Sequence, residues 1–311
     1  MGSKRKERKD LDSEDKENRI MSIIQKIPFK KIFSTIGQAP KFPTITIIIF
    51  ILFGVFGKLI APHNPTGTSF RLALTPPAWM NGGLWSYPLG TDHLGRDILS
   101  RMIVGAGASL EVGIMVVVFS GLLGATLAIL GGYLGGKIDM LIMRLVDMVL
   151  SMPFLILAVT LAAILGASKY NLIIILAGVS WAWYARVLRS EVLKLKEGDF
   201  IRLAIVAGCS KSRIMLRHIF PNIVNSLVVL ATLSLGVVII AEASLSFLGL
   251  GIPPPDPAWG SMINEGRTYI GQAWWVSLWP GIAILLVVLS FNLLGDWFRV
   301  RLDPKFRQTR L

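Results

Sequence analysis

Six separate runs of this chain are apolar for long enough to cross a lipid bilayer, and that restricts its fold more than any other feature. A hydrocarbon core about 30 Å thick takes about 20 mostly apolar residues wound as a helix. The runs lie near Thr44 to Ile60, Ile103 to Leu134, Met140 to Leu165, Leu172 to Leu188, Ile223 to Leu248 and Trp274 to Phe298. With 53% hydrophobic and only 16% charged residues, the bilayer is the expected solvent. The reading is an all-α membrane protein with six transmembrane helices.

The amino-terminal stretch "GSKRKERKDLDSEDKENR" carries both signs of charge and almost no large apolar group, so disorder in solution is expected there. The apolar run that follows starts too late for a secretory signal and has no small-residue cleavage pattern after it, so the first span reads as an uncleaved anchor. Residues 1–42 are therefore taken as a charged cytoplasmic tail and lead-in, 43–304 as one six-span domain, and 305–311 as a short cytoplasmic tail.

A net charge of +13 raises the question of nucleic acid, and the distribution of the cations answers it. Of 32 Lys and Arg residues, 26 fall before the first span, around Lys137 and Arg144, between Arg186 and Arg217, or after the last span. The positive-inside rule then puts both termini and the 190–221 connection in the cytoplasm. The charge serves topology and contact with anionic membrane lipid, and no nucleic-acid partner is expected. The sole cysteine, Cys209, excludes a disulfide within the chain, and His63, His93 and His218 are scattered, so no metal site is expected.

Two connections of real size lie outside the spans. Residues 61–102 are rich in Pro, Gly and aromatic residues, with Trp79, Trp85 and Tyr87 suited to the headgroup level. Residues 249–273 contain a proline run expected to end the fifth helix. Neither has the size of an independent receptor domain, so capture of a substrate falls to another chain. Small residues at helical spacing, Gly105, Ser109 and Gly113, then Gly121, Gly124 and Gly131, allow close helix approach, either within the bundle or at a dimer face.

"GGYLGGK", Gly131 to Lys137, approaches a phosphate-binding loop but ends in Ile138 where a magnesium-holding hydroxyl is needed, and it joins two membrane helices. ATP, if used, is expected on a separate chain, and no cofactor is expected in this one. "GDFIRLAIVAGCSKSRIMLRHIFPN" is different in kind. Phe200, Leu203, Ala204 and Ala207 follow helical spacing while Asp199 and Arg202 point elsewhere, and Gly208 ends the segment. Ser210 caps a second short helix that Pro221 is expected to stop. Two short helices held between membrane spans form either a projecting knob that passes force to a partner or an amphipathic hairpin resting on lipid.

The spacing of Ala204, Gly208 and Pro221 resembles the cytoplasmic "EAA" loop of ABC importer permeases, with Arg202, Leu203 and Phe220 departing from the usual residues. "PLGTDHLGRDILSRMIVGAGASLEVG", "GGYLGGKIDMLIMRLVDMVLSMPFL" and "AEASLSFLGLGIPPPDPAWGSMI" are similar to signatures of the dipeptide, oligopeptide and nickel importer permeases, specifically the second of their two permease subunits. The resemblance runs from about Tyr87 to Pro304 and leaves the charged tail outside it.

It implies a type I ABC importer permease fold in a bacterial or archaeal inner membrane. It further implies pairing with a second, homologous permease, docking on one or two cytoplasmic ABC ATPase subunits that bind ATP, and supply by an external substrate-binding protein. Phe200, Leu203 and Ala204 are then the expected docking anchors, with Arg213 and Arg217 as rim charges. Nickel or metal-chelate import is the rival within the family. An ion-coupled secondary transporter is the rival outside it, weakened by the lack of charge chains across the spans. Catalysis by this chain is not expected.

Two further sets of residues keep two readings each. Glu111 and Glu242 lie in apolar runs, and either attract the ammonium end of a substrate entering from outside or are paired internally to order the bundle. Asp92, Arg96 and Asp97 in "GTDHLGRD" either contact the external binding protein or form a self-capping turn that starts a helix.

Overall fold

The computed structural model describes residues 39–302. Of the expected tails at 1–42 and 305–311, residues 1–38 and all of 305–311 lie outside the described residues. The described part is helical, with one isolated antiparallel bridge between Thr91 and Asp97.

Among the described residues, besides a 3-10 turn at Phe70–Leu72, nine helices follow in chain order: α1 (Lys41–Ile60), α2 (Ile98–Leu134), α3 (Gly136–Leu150), α4 (Phe154–Leu165), α5 (Lys169–Lys196), α6 (Asp199–Val206), α7 (Lys211–Phe247), α8 (Trp259–Arg267) and α9 (Trp275–Leu302). Five of them, α1, α2, α5, α7 and α9, are long and apolar enough to cross a membrane alone. Their outward faces stay greasy, as at Ile48, Leu52 and Val55 of α1, which suits lipid rather than water.

The expected third span is not one rod. α3 and α4 meet at 86° across Ser151–Pro153, and only together do they have the length and composition of a span. Proline explains the break: it offers no N–H, and its ring pushes the preceding residue out of helical geometry.

The fifth span departs in the opposite sense. Pro221 does not stop a short helix, because the helix runs through it from Lys211 to Phe247. The five residues Met215–Ile219 just before it are wound as a π-helix. That wider turn removes the need for a hydrogen bond from residue 221 to the carbonyl four back and makes room for the ring.

α2 is the central post. It packs along α1, α5 and α7, while α9 closes against α1, α7 and α8. One apolar cluster joins α2, α4, α5 and α7 around Val112, Val116, Leu172, Leu176 and Leu245. A second joins α1, α2, α7, α8 and α9 around Phe50, Ile98, Ile239, Trp259 and Phe291. The small residues of α2 serve this packing. At Gly124 a Cβ would stand 2.5 Å from Tyr184 Cβ and 2.8 Å from the Trp181 carbonyl oxygen, so α5 comes as near as it does only because glycine is there.

Candidate functional site

α6 starts with Asp199 in its first turn, which suits the positive end of the helix dipole. It ends at Gly208, whose φ of +76° is natural for glycine. Gly208 N–H donates to the Ile205 carbonyl at 2.9 Å and Cys209 N–H to the Ala204 carbonyl at 3.0 Å, a Schellman closure. Ser210 Oγ then accepts from Arg213 N–H at 3.4 Å and starts α7, as the capping pattern predicts.

The hairpin has two faces. Ile201, Ile214 and Ile219 are fully buried, and with Ala204 they join Ile129 and Tyr133 of α2 and Leu188 and Val192 of α5 in a third cluster. Each such isoleucine is worth about 1.5–3 kcal/mol of burial, so the hairpin is fixed to the bundle and moves with it. Ala204 faces inward rather than outward with Phe200 and Leu203, since helical spacing alone did not say which side of α6 meets the bundle. The opposite face leaves Phe200, Leu203, Ile205 and Val206 exposed, Leu203 at 69% and Val206 at 85%, and Leu216 of α7 is exposed too. Arg202 lies 3.9 Å from Asp199, and Arg213 and Arg217 stand exposed on the first turns of α7.

At the other end of the bundle, "GTDHLGRD" folds into a buried ion cluster. Asp92 Oδ1 accepts from Leu94 N–H at 2.8 Å and Arg96 N–H at 3.0 Å, and Oδ2 accepts from Arg96 Nε at 2.6 Å and from the Arg101 guanidinium. Glu265 of α8 completes the set, accepting from Arg96 Nη2 at 2.6 Å and Arg101 Nη1 at 2.7 Å. Burial alone would raise the Asp92 carboxyl. Arg101 and Arg96 outweigh it and hold the group below the usual carboxylate range. Asp97 caps α2, accepting from Ser100 N–H at 3.0 Å and Ser100 Oγ at 2.6 Å, with His63 Nδ1 at 3.3 Å.

Asp92, Arg96 and Asp97 are thus all buried, in the arrangement of a self-capping turn. Arg101, Glu265 and His63 belong to the same cluster and were missed: Glu265 and His63 reach it from distant parts of the chain, and Arg101, nine residues after Asp92, lies one helix turn into an apolar run. Trp79 and Trp85 are exposed on the same connection, and Tyr87 stacks on His63 at 4.6 Å between ring centres.

The two glutamates of the apolar runs part company. Glu242 of α7 is completely buried and accepts from Ser109 Oγ of α2 and from Ser246 Oγ, each at 2.8 Å. Glu111 is partly exposed and accepts from Lys169 Nζ, at the start of α5, at 2.8 Å. Each has an internal partner, and the two do not share a site.

The family model for the binding-protein-dependent transport system inner membrane component matches residues 120–308. The di/tripeptide transport system permease protein DppC of Pseudomonas aeruginosa (strain UCBPP-PA14) is 42% identical over 261 residues, 84% of this chain and 86% of that protein. The dipeptide transport system permease protein DppC of Escherichia coli (strain K12) is 43% identical over 264 residues, 85% of this chain and 88% of that protein. The probable D,D-dipeptide transport system permease protein DdpC of the same strain is 38% identical over 261 residues, 84% of this chain and 86% of that protein.

Proposed function

The chain belongs to the family of binding-protein-dependent transport system inner membrane components, and from that premise we propose that it forms half of the path by which an ATP-driven importer takes up di- and oligopeptides. A second, similar permease supplies the other half, and an external binding protein delivers the peptide. One or two cytoplasmic ATPase subunits supply the work through the α6–α7 hairpin, and both termini lie on the ATPase side.

The observation that carries this reading is the division of the hairpin into a buried and an exposed face. Ile201, Ile214 and Ile219 weld it to α2 and α5, while Leu203 and Val206 project from the bundle with nothing over them among the described residues. A lever needs both properties. An amphipathic helix offered to a groove is a familiar docking mode, with Phe200, Leu203 and Val206 as anchors and Arg213 and Arg217 at the rim. The hairpin is drawn along when the ATPase pair closes, and the bundle follows because the two are packed as one body.

Each anchor's burial is worth about 1.5–3 kcal/mol. The double substitution Leu203→Glu with Val206→Asp should therefore weaken ATPase binding by about tenfold or more. In a pull-down from native membranes the ATPase should be lost while the second permease is retained, and peptide uptake should stop. An ATPase still bound, with uptake intact, would overturn the docking role.

A further inference from the structure

The 86° bend between α3 and α4 opens a groove of about 410 Å³ between the bend, α5 and α7. α5 presents Ser180 and Tyr184 to it and α7 presents Leu230, Ser234 and Val237, in each case from one face of the helix. Apart from the three hydroxyls and the indole N–H of Trp183 the side chains of its wall are apolar, and none is charged.

Two of those hydroxyls, Ser180 and Ser234, are not tied back to their own helices. Elsewhere in the helices, Ser120, Thr126, Thr160, Thr232, Ser244 and Ser290 each donate to the carbonyl four residues back, at 2.6–2.9 Å. That bond uses the hydroxyl's one donor within its own helix and leaves it able only to accept from a neighbour. Ser180 and Ser234 make no such bond among the described residues. Tyr184 Oη is buried without a hydrogen-bond partner, although Ser120 and Ser234 stand close to it. A buried hydroxyl left unpaired costs about 1–3 kcal/mol. Lipid tails and an apolar helix face cannot relieve that cost, whereas a small rotation toward Ser234 or a polar occupant of the groove can.

We propose that this groove is the chain's own stretch of the peptide path, and that Ser180, Tyr184 and Ser234 are its contacts with the passing peptide backbone. The inference rests on the import reading above and adds the location and the contacting atoms. Peptide fits the chemistry of the wall. A backbone presents N–H donors and C=O acceptors in alternation, and a hydroxyl can meet either without selecting a sequence. Apolar side chains find apolar wall, and a wall without charge does not trap a zwitterion at its ends. A divalent cation would need carboxylates, imidazoles or thiolates, and none lines the groove.

Cys209 is the only cysteine, so the assembled transporter carrying Cys209→Ser is a suitable parent for Ser180→Cys and Ser234→Cys. Each variant is exposed to a charged, membrane-impermeant methanethiosulfonate and to the lipophilic N-ethylmaleimide, with and without dialanine plus binding protein and ATP. Modification of this chain is read as a mass shift. The charged reagent should modify both positions and block uptake, and the transported dipeptide should slow the modification. Reaction with N-ethylmaleimide alone would mean a lipid-facing groove, and no reaction with either reagent a groove packed shut; both overturn the proposal. Tyr184→Phe removes one hydrogen bond and should slow uptake about fivefold with ATPase and second permease still bound; unchanged uptake overturns the role of that hydroxyl. A parent transporter that imports no peptide would refute the import reading itself, whereas import without peptide protection refutes only the groove.

Discussion

Glu242 and Arg101 each sit where the cost of removal can be stated. Glu242 holds Ser109 of α2 and Ser246 of α7 to one carboxylate, out of contact with solvent. Glu242→Ala leaves both hydroxyls unpaired, a loss of about 1–3 kcal/mol for each buried group. Glu242→Gln keeps an acceptor in place. A bundle-ordering role therefore predicts a lower melting temperature for the alanine variant and near-normal uptake for the glutamine variant; uptake abolished in the latter would favour substrate contact. Arg101 is 2% exposed and bridges Asp92 to Glu265. Arg101→Ala leaves Asp92 and Glu265 to share Arg96 alone and should cost up to about 3–5 kcal/mol, read as a fall in the melting temperature of the purified complex. The same cluster predicts an acid limb. Because the Asp92 carboxyl is held below its usual range, its contribution is complete above the ordinary value of about 3.9 and is lost as the pH falls through the lowered one. Stability should drop below about pH 4, and Asp92→Asn should flatten that part of the curve.

At the scale of elements, the hairpin depends on one backbone angle. Gly208 holds φ at +76°, where a β-branched side chain costs about 1–2 kcal/mol. Gly208→Val should turn α6 against α7, leaving the subunits assembled but lowering the peptide moved per ATP hydrolysed; normal coupling would show that the angle does not matter. The hairpin's existence was legible because glycine and proline punctuate the chain whatever surrounds them. Its orientation was not, since Phe200, Ile201, Leu203 and Ala204 are all apolar and only packing against Ile129 and Leu188 decides that Ile201 and Ala204 turn inward. Pro221 shows the converse, a strong local breaker overridden by a π turn in a helix anchored at both ends. The bend at Ser151–Pro153 carried its own signal in the proline, which a hydropathy average across Met140 to Leu165 smooths away.

For the whole molecule, six apolar runs determined the class of fold, because each must satisfy its backbone inside lipid and a helix does so unaided. What they left open was which faces meet. Asp92 and Glu265 lie on opposite sides of most of the chain, and no spacing rule connects them to Arg101. The groove at Tyr184 was invisible for the same reason: it is made by four helices, and the serines that α5 and α7 bring to it are ordinary residues on each. The central claim is that this chain provides a path and a lever while the energy comes from elsewhere. The most direct test is uptake of labelled dipeptide into liposomes, comparing this chain alone with the complete complex recovered from native membranes, with and without ATP. Uptake that needs the complex, the binding protein and ATP together is the predicted result. Uptake by the chain alone, indifferent to ATP, would contradict the account.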